Sequence, residues 1–129
     1  MTDKFERLIE RAEALIQRIE SVLPQPLAAP AHVDAEILSA LRGMSVGGIV
    51  AAEAVDIALE AWSRTAVVRL ATPPLMRRAW GLRHNLSAYD ALYVAAAESL
   101  GVPLVTHDAR IAKAPGIGCV VEVLPGAAG

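Results

Sequence analysis

The chain has a single cysteine, Cys119, so it cannot close an internal disulfide and is not a cystine-stapled secreted domain. Aromatic residues are scarce: Phe5, Trp62, Trp80, Tyr89 and Tyr93 make up 4% of the chain, which leaves the packing to Ala, Val, Leu and Ile. No apolar run approaches the roughly 18 residues that a membrane-spanning helix needs. Neither sign of charge dominates. The 12 basic and 14 acidic side chains leave a net charge of −2, so contact with a polyanion has to come from a local patch. The first residues, Met-Thr-Asp-Lys-Phe-Glu-Arg, are charged from the start. They do not read as a secretory signal, and a cytoplasmic location is expected. Phosphate-cradling loops and nucleophile elbows are also lacking: no Lys-Ser/Thr follows Gly47-Gly48, and Ser39, Ser45 and Ser87 stand in no elbow motif. What is present is 129 residues, 54% of them apolar, which is one domain's worth of chain and too hydrophobic to stay disordered.

Residues 3–23 carry apolar side chains at spacings of three and four and predict an amphipathic helix, stopped by Pro24-Gln25-Pro26. The organisation expected is therefore an N-terminal helix and proline linker over 1–26, a domain over 27–125 and a loose tail over 126–129. Within the domain, strands are expected over 27–31, 65–70, 102–106 and 119–124. Helices are expected over 33–42 (ended by Gly43), 45–62, 75–83, 87–100 (ended by Gly101) and 109–114. Helices alternating with short strands favour an α/β fold with a mainly parallel sheet, whose ligands sit beyond the carboxyl ends of the strands.

Three acids stand where such a fold would place a site. Glu36 is one turn into the helix after the first strand, Asp90 is in the first turn of its helix, and Asp108 follows a strand end. Hard divalent cations take oxygen ligands, and carboxylates brought to one sheet edge would suit one. Each acid also has a structural explanation. Ser87-x-x-Asp90 fits a capping box, Asp108 fits the N-cap of the turn at 109–114, and Glu36 fits a helix dipole with Asp34 as the cap.

Between Glu60 and Asp90 there is no acid, yet Arg64, Arg69, Arg77, Arg78 and Arg83 lie there. Arginines beside carboxylates that hold a metal suit a polyanionic substrate, while a solvated helix face with some arginines paired elsewhere is the plainer explanation. His32, His84 and His107 lack ligand spacing, and Cys119 lies in an expected strand without a base beside it, as a buried inert thiol would.

Two segments carry a family resemblance. Arg83-His-Asn-Leu-Ser-Ala-Tyr-Asp-Ala-Leu-Tyr-Val-Ala-Ala-Ala-Glu98 is followed by Gly101-Val-Pro-Leu-Val-Thr-His-Asp-Ala-Arg110. Together they resemble the C-terminal half of a PIN-domain ribonuclease of the VapC toxin type, the toxin of VapBC toxin–antitoxin pairs. Pro30-Ala-His-Val-Asp-Ala-Glu-Ile-Leu-Ser-Ala-Leu41 resembles that family's second acidic motif. The resemblance implies a three-layer α/β/α domain around a short parallel sheet and Mg²⁺- or Mn²⁺-dependent hydrolysis of RNA. By position it makes Glu36, Asp90 and Asp108 catalytic and metal-ligating residues, with Thr106 orienting the site. Arg83, Arg110, Arg77 and Arg78 are the residues expected to hold RNA phosphates. An RNA substrate, a cognate antitoxin protein and a homodimer are the partners it implies, with no membrane. One departure accompanies it: the family opens on a strand ending in an Asp, within Val-Asp-x-Ser/Thr, and residues 1–26 hold no such segment. The second functional reading follows from that departure, an inactive or truncated PIN-like module acting through protein–protein interaction.

Overall fold

The computed structural model describes residues 27–125; the helix expected over 3–23, the proline linker and the tail over 126–129 lie outside the described residues. The described residues divide into two compact units, one made of Leu27–Ala28 with His32–Val68, the other of Ala29–Ala31 with Arg69–Pro125. Strands β1 (Leu27–Pro30) and β2 (Val67–Leu70) form a two-stranded sheet. The Ala31 N–H donates to the Leu70 carbonyl at 2.8 Å just beyond it.

The first unit contains helices α1 (Val33–Val46) and α2 (Ala52–Ser63). Helix α1 runs through Gly43, where the sequence predicts its end. A glycine inside a helix costs only about 1 kcal/mol relative to alanine, so by itself it does not force a stop. The stop comes at Gly47-Gly48, where Gly48 turns left-handed with φ 73°. The second helix accordingly begins at Ala52, later than the Ser45 start expected. Asp34 is not the cap of α1. His32 holds that position, and Asp34 Oδ1 instead accepts a hydrogen bond from Trp62 Nε1 at 2.7 Å, tying α1 to α2.

The second unit contains a 3₁₀ turn (Pro73–Leu75), α3 (Met76–Gly81), α4 (Ala88–Leu100), β3 (Leu104–Thr106), α5 (Ala109–Ala112) and β4 (Val121–Val123). Strands β3 and β4 pair in parallel, Leu104 opposite Val121 and Thr106 opposite Val123. Helix α4 is the centre of this unit. It is apolar on nearly every side, the pattern of a buried helix. Ala91 and Val94 are fully buried, and they pack with Ala79 and Leu82 from the α3 region, Leu104 of β3 and Ile111 of α5. The run Ala95-Ala96-Ala97 keeps the α4 surface shallow, so that Leu75 packs directly onto it. Burying a leucine such as Leu82 contributes about 2 kcal/mol. Helix α4 is closed at both ends as its sequence predicts: Ser87 Oγ accepts the Asp90 N–H at 3.2 Å, and Gly101 takes a left-handed φ of 65°.

A polar clamp joins α3 and α4 to the loop before β4. Arg78 Nε and Nη2 donate to Glu98 Oε1 and Oε2 at 2.6 and 2.9 Å, and Nη2 also donates to the Gly116 carbonyl at 2.7 Å. Glu98 Oε2 accepts the Gly118 N–H as well. Among the described residues, no helix is long and apolar enough to cross a membrane.

Candidate active site

The end of β3 builds the first part of the site. The Asp108 N–H donates to Thr106 Oγ1 at 3.0 Å, so the Thr106 hydroxyl folds the chain over as the strand ends. Asp108 then caps α5, its Oδ1 accepting the Arg110 N–H at 2.9 Å. The Arg110 side chain folds back onto the same carboxylate, with Nε 3.0 Å from Oδ1 and Nη2 2.7 Å from Oδ2. The Arg110 side-chain hydrogen bonds, followed by its backbone N–H, hold the Asp108 carboxyl down to about 2.

The second part comes from the start of α4. Asp90 is half-buried in the first turn, where Ser87 anchors its backbone. The negative charge of Asp90 reaches Arg110 and adds to the effect of Asp108 in raising the guanidinium's pKa. The capping explanation is realised for Asp108, which caps α5, and in one half for the Ser87–Asp90 box, where the Ser87 hydroxyl accepts the Asp90 N–H.

Glu36, the third acid, is exposed on α1 in the first unit. His32 Nε2 lies 3.1 Å from its Oε1, one helical turn earlier. Among the described residues, no group of three or more His, Cys, Asp or Glu side chains is gathered closely enough to hold a metal ion. Mg²⁺ commonly needs only one or two carboxylates, with waters and substrate oxygens completing its shell. The donor chemistry of Asp90 and Asp108, hard carboxylate oxygens, fits such an ion.

The arginines separate into groups. Arg64 pairs with Glu60 at 2.8 Å, and Arg78 is committed to Glu98 and Gly116. Arg77 has no carboxylate partner among the described residues. Arg83 stacks on the Trp80 indole, 4.6 Å from the ring centroid, while its Nη1 donates to the Trp80 carbonyl at 3.1 Å. Sequence reasoning passed over Trp80; the signal available was a tryptophan lying among arginines in a stretch free of acids. Cys119 is partly buried, and burial together with the nearby Glu98 charge pushes its thiol pKa up, which suits an unreactive thiol.

A family model of the PIN domain matches residues 5–117. The chain belongs to the PIN-domain family, and the α/β/α architecture that the resemblance implied is that family's fold. Within it, the chain is similar to proteins named as VapC ribonucleases. It is 39% identical to Ribonuclease VapC9 of Mycobacterium tuberculosis H37Rv over 109 residues, 84% of this chain and 86% of that protein. It is 40% identical to Ribonuclease VapC3 of the same strain over 114 residues, 88% of this chain and 81% of that one. With Ribonuclease VapC1 of that strain it shares 41% over 97 residues, 74% of this chain and 73% of the other.

Proposed function

We propose that the protein is a metal-dependent endoribonuclease of the VapC toxin type, hydrolysing RNA phosphodiester bonds. The observations that carry this reading are the Asp108–Arg110 pair at the end of β3 and Asp90 at the capped start of α4, in a PIN-domain chain whose relatives are named ribonucleases. Asp90 and Asp108 would hold Mg²⁺ or Mn²⁺, and Glu36 is the acid of the family's second acidic motif. When bound, such an ion activates an attacking water and offsets the charge that builds on the phosphate oxygens. Thr106 positions Asp108 through its backbone N–H. Arg110 is paired with Asp108, so it is suited to take a substrate phosphate once Asp108 turns to the ion. Arg77 and Arg83 would hold phosphates further along the strand. Arg78 is held by Glu98 and Gly116, which supports a structural part rather than a phosphate contact.

An antitoxin protein as partner, self-association as a homodimer and a cytoplasmic location belong to the same reading. Incubating the full chain with structured RNA and Mn²⁺, beside Asp90→Asn and an EDTA control, tests it. Cleavage that requires the metal and vanishes in the variant is the expected result. No cleavage by a folded wild-type chain would reject it in favour of an inactive module that acts through protein contacts.

A further inference from the structure

An open groove of about 830 Å³ runs along the α3 side of the second unit. Its lining is of two kinds. Leu86 and Leu92 are among its apolar lining, Trp80, Arg77 and Arg83 line it as well, and no acidic side chain does. Trp80 remains 67% exposed even with Arg83 stacked against it. An indole left this open in a chain with only two tryptophans does not serve the core. The groove also reaches Ser87, the cap of the helix whose first turn carries Asp90.

We infer that this groove is a binding subsite for single-stranded RNA, in which a nucleobase stacks on the Trp80 indole while Arg77 and Arg83 contact the flanking phosphates. The inference rests on the ribonuclease reading above and specifies how that site takes its substrate. Three observations favour an RNA strand over a protein segment. The arginines are uncompensated within the groove, so an apolar helix seated there would leave Arg77 without a counter-charge. An aromatic platform fixed by a cation suits any base, because every base presents a π-face. The groove also takes in Ser87 and Ala88 at the start of the helix whose first turn carries Asp90, so a strand lying in it is directed towards that end of the helix. The base has to be unpaired, since a base inside a duplex is covered on both faces.

Binding of the full chain to a short fluorescein-labelled single-stranded RNA, in EDTA to prevent cleavage, tests the subsite. A sugar–phosphate strand of the same length without bases is the second probe. Trp80→Leu keeps apolar bulk but removes the ring, and Trp80→Phe keeps a ring. Trp80→Leu is expected to weaken RNA binding about tenfold and Trp80→Phe much less, with the abasic strand bound equally by all three chains. Arg77→Ala is expected to weaken both probes alike. In parallel, RNA should quench the indole emission of the wild type more than that of Trp80→Phe, a measurement that does not depend on how the Leu variant folds. RNA affinity unchanged in Trp80→Leu, or an equal loss on both probes, would overturn the stacking role. If the wild type still cleaves RNA in that case, only the subsite falls, and the groove passes to a protein partner. A wild type that neither binds nor cleaves RNA rejects the ribonuclease reading together with the subsite.

Discussion

Arg110 grips both carboxylate oxygens of Asp108, Nε at 3.0 Å from one and Nη2 at 2.7 Å from the other. The pair is a built-in competitor for any cation that Asp108 would hold, since a guanidinium and a divalent ion seek the same lone pairs. Replacing Arg110 with alanine removes the competitor and a repulsive positive charge. Mn²⁺ binding, followed by titration calorimetry or electron paramagnetic resonance, should therefore tighten about threefold in Arg110→Ala, a modest change because the pair is solvent-exposed. RNA binding should weaken in the same variant. Mn²⁺ affinity that is unchanged or lower would mean that Asp108 is not a ligand.

Asp90 and Ser87 divide two roles that the sequence could not separate. Asp90→Asn keeps the size of the side chain and the backbone N–H that Ser87 receives. The variant should melt within about 1 kcal/mol of the wild type while losing cleavage. Ser87→Ala removes the cap acceptor and should cost about 1 kcal/mol of stability, read by urea denaturation, with cleavage lowered far less than in Asp90→Asn. Equal losses of activity in the two variants would show that Asp90 acts only through the helix start.

Much of the second unit was legible because local chemistry decides it. Ser87 and Gly101 bracket α4 by needs that short stretches of sequence express: a side-chain acceptor at one end and a left-handed residue at the other. Gly43 misled because a glycine permits a helix end without imposing one, and the left-handed turn fell to Gly48 instead. Asp34 misled because its partner, the Trp62 indole, lies 28 residues away. The commitment of Arg78 to Glu98 was hidden for the same reason, since nothing in an acid-free stretch says which arginines find acids elsewhere. The order and spacing of the Asp90 and Asp108 motifs carried the family. Spacing alone did not reveal that Arg110 closes on Asp108.

Glu98 offers a test by pH. The hydrogen bonds from Arg78, helped by the Gly118 N–H, hold its carboxyl below the usual value of 4.5. A depressed folded value means that the ionised form favours folding. The contribution is complete above the unfolded value and disappears as pH falls through the lower folded one. Glu98→Gln should thus be less stable than the wild type by about 1 kcal/mol near neutral pH, an estimate kept small because Arg78 is largely exposed. The gap in urea midpoints should close as pH falls below the lowered folded value, where both chains carry a neutral side chain. A gap that persists there would point to lost packing instead of lost charge.

Gly118 and Glu98 should prove strongly coupled. A Cβ placed on Gly118 would lie 2.9 Å from Glu98 Oε2 and 3.4 Å from its Cδ. The end of a glutamate side chain can normally swing away from such a contact. Here Arg78 holds both of its oxygens, and the Gly118 N–H holds one of them. Moving the carboxylate means loosening the clamp between α3, α4 and the 115–118 loop. Gly118→Ala should therefore destabilise the chain by about 1–2 kcal/mol. Glu98→Ala alone should cost a similar amount through the lost clamp. In the double variant the methyl group meets no carboxylate, so the two costs should fall short of adding by about 1 kcal/mol, measured as a double-mutant cycle in urea. Strict additivity would show that the loop carries the added methyl group elsewhere and that the clamp does not fix the position of Gly118.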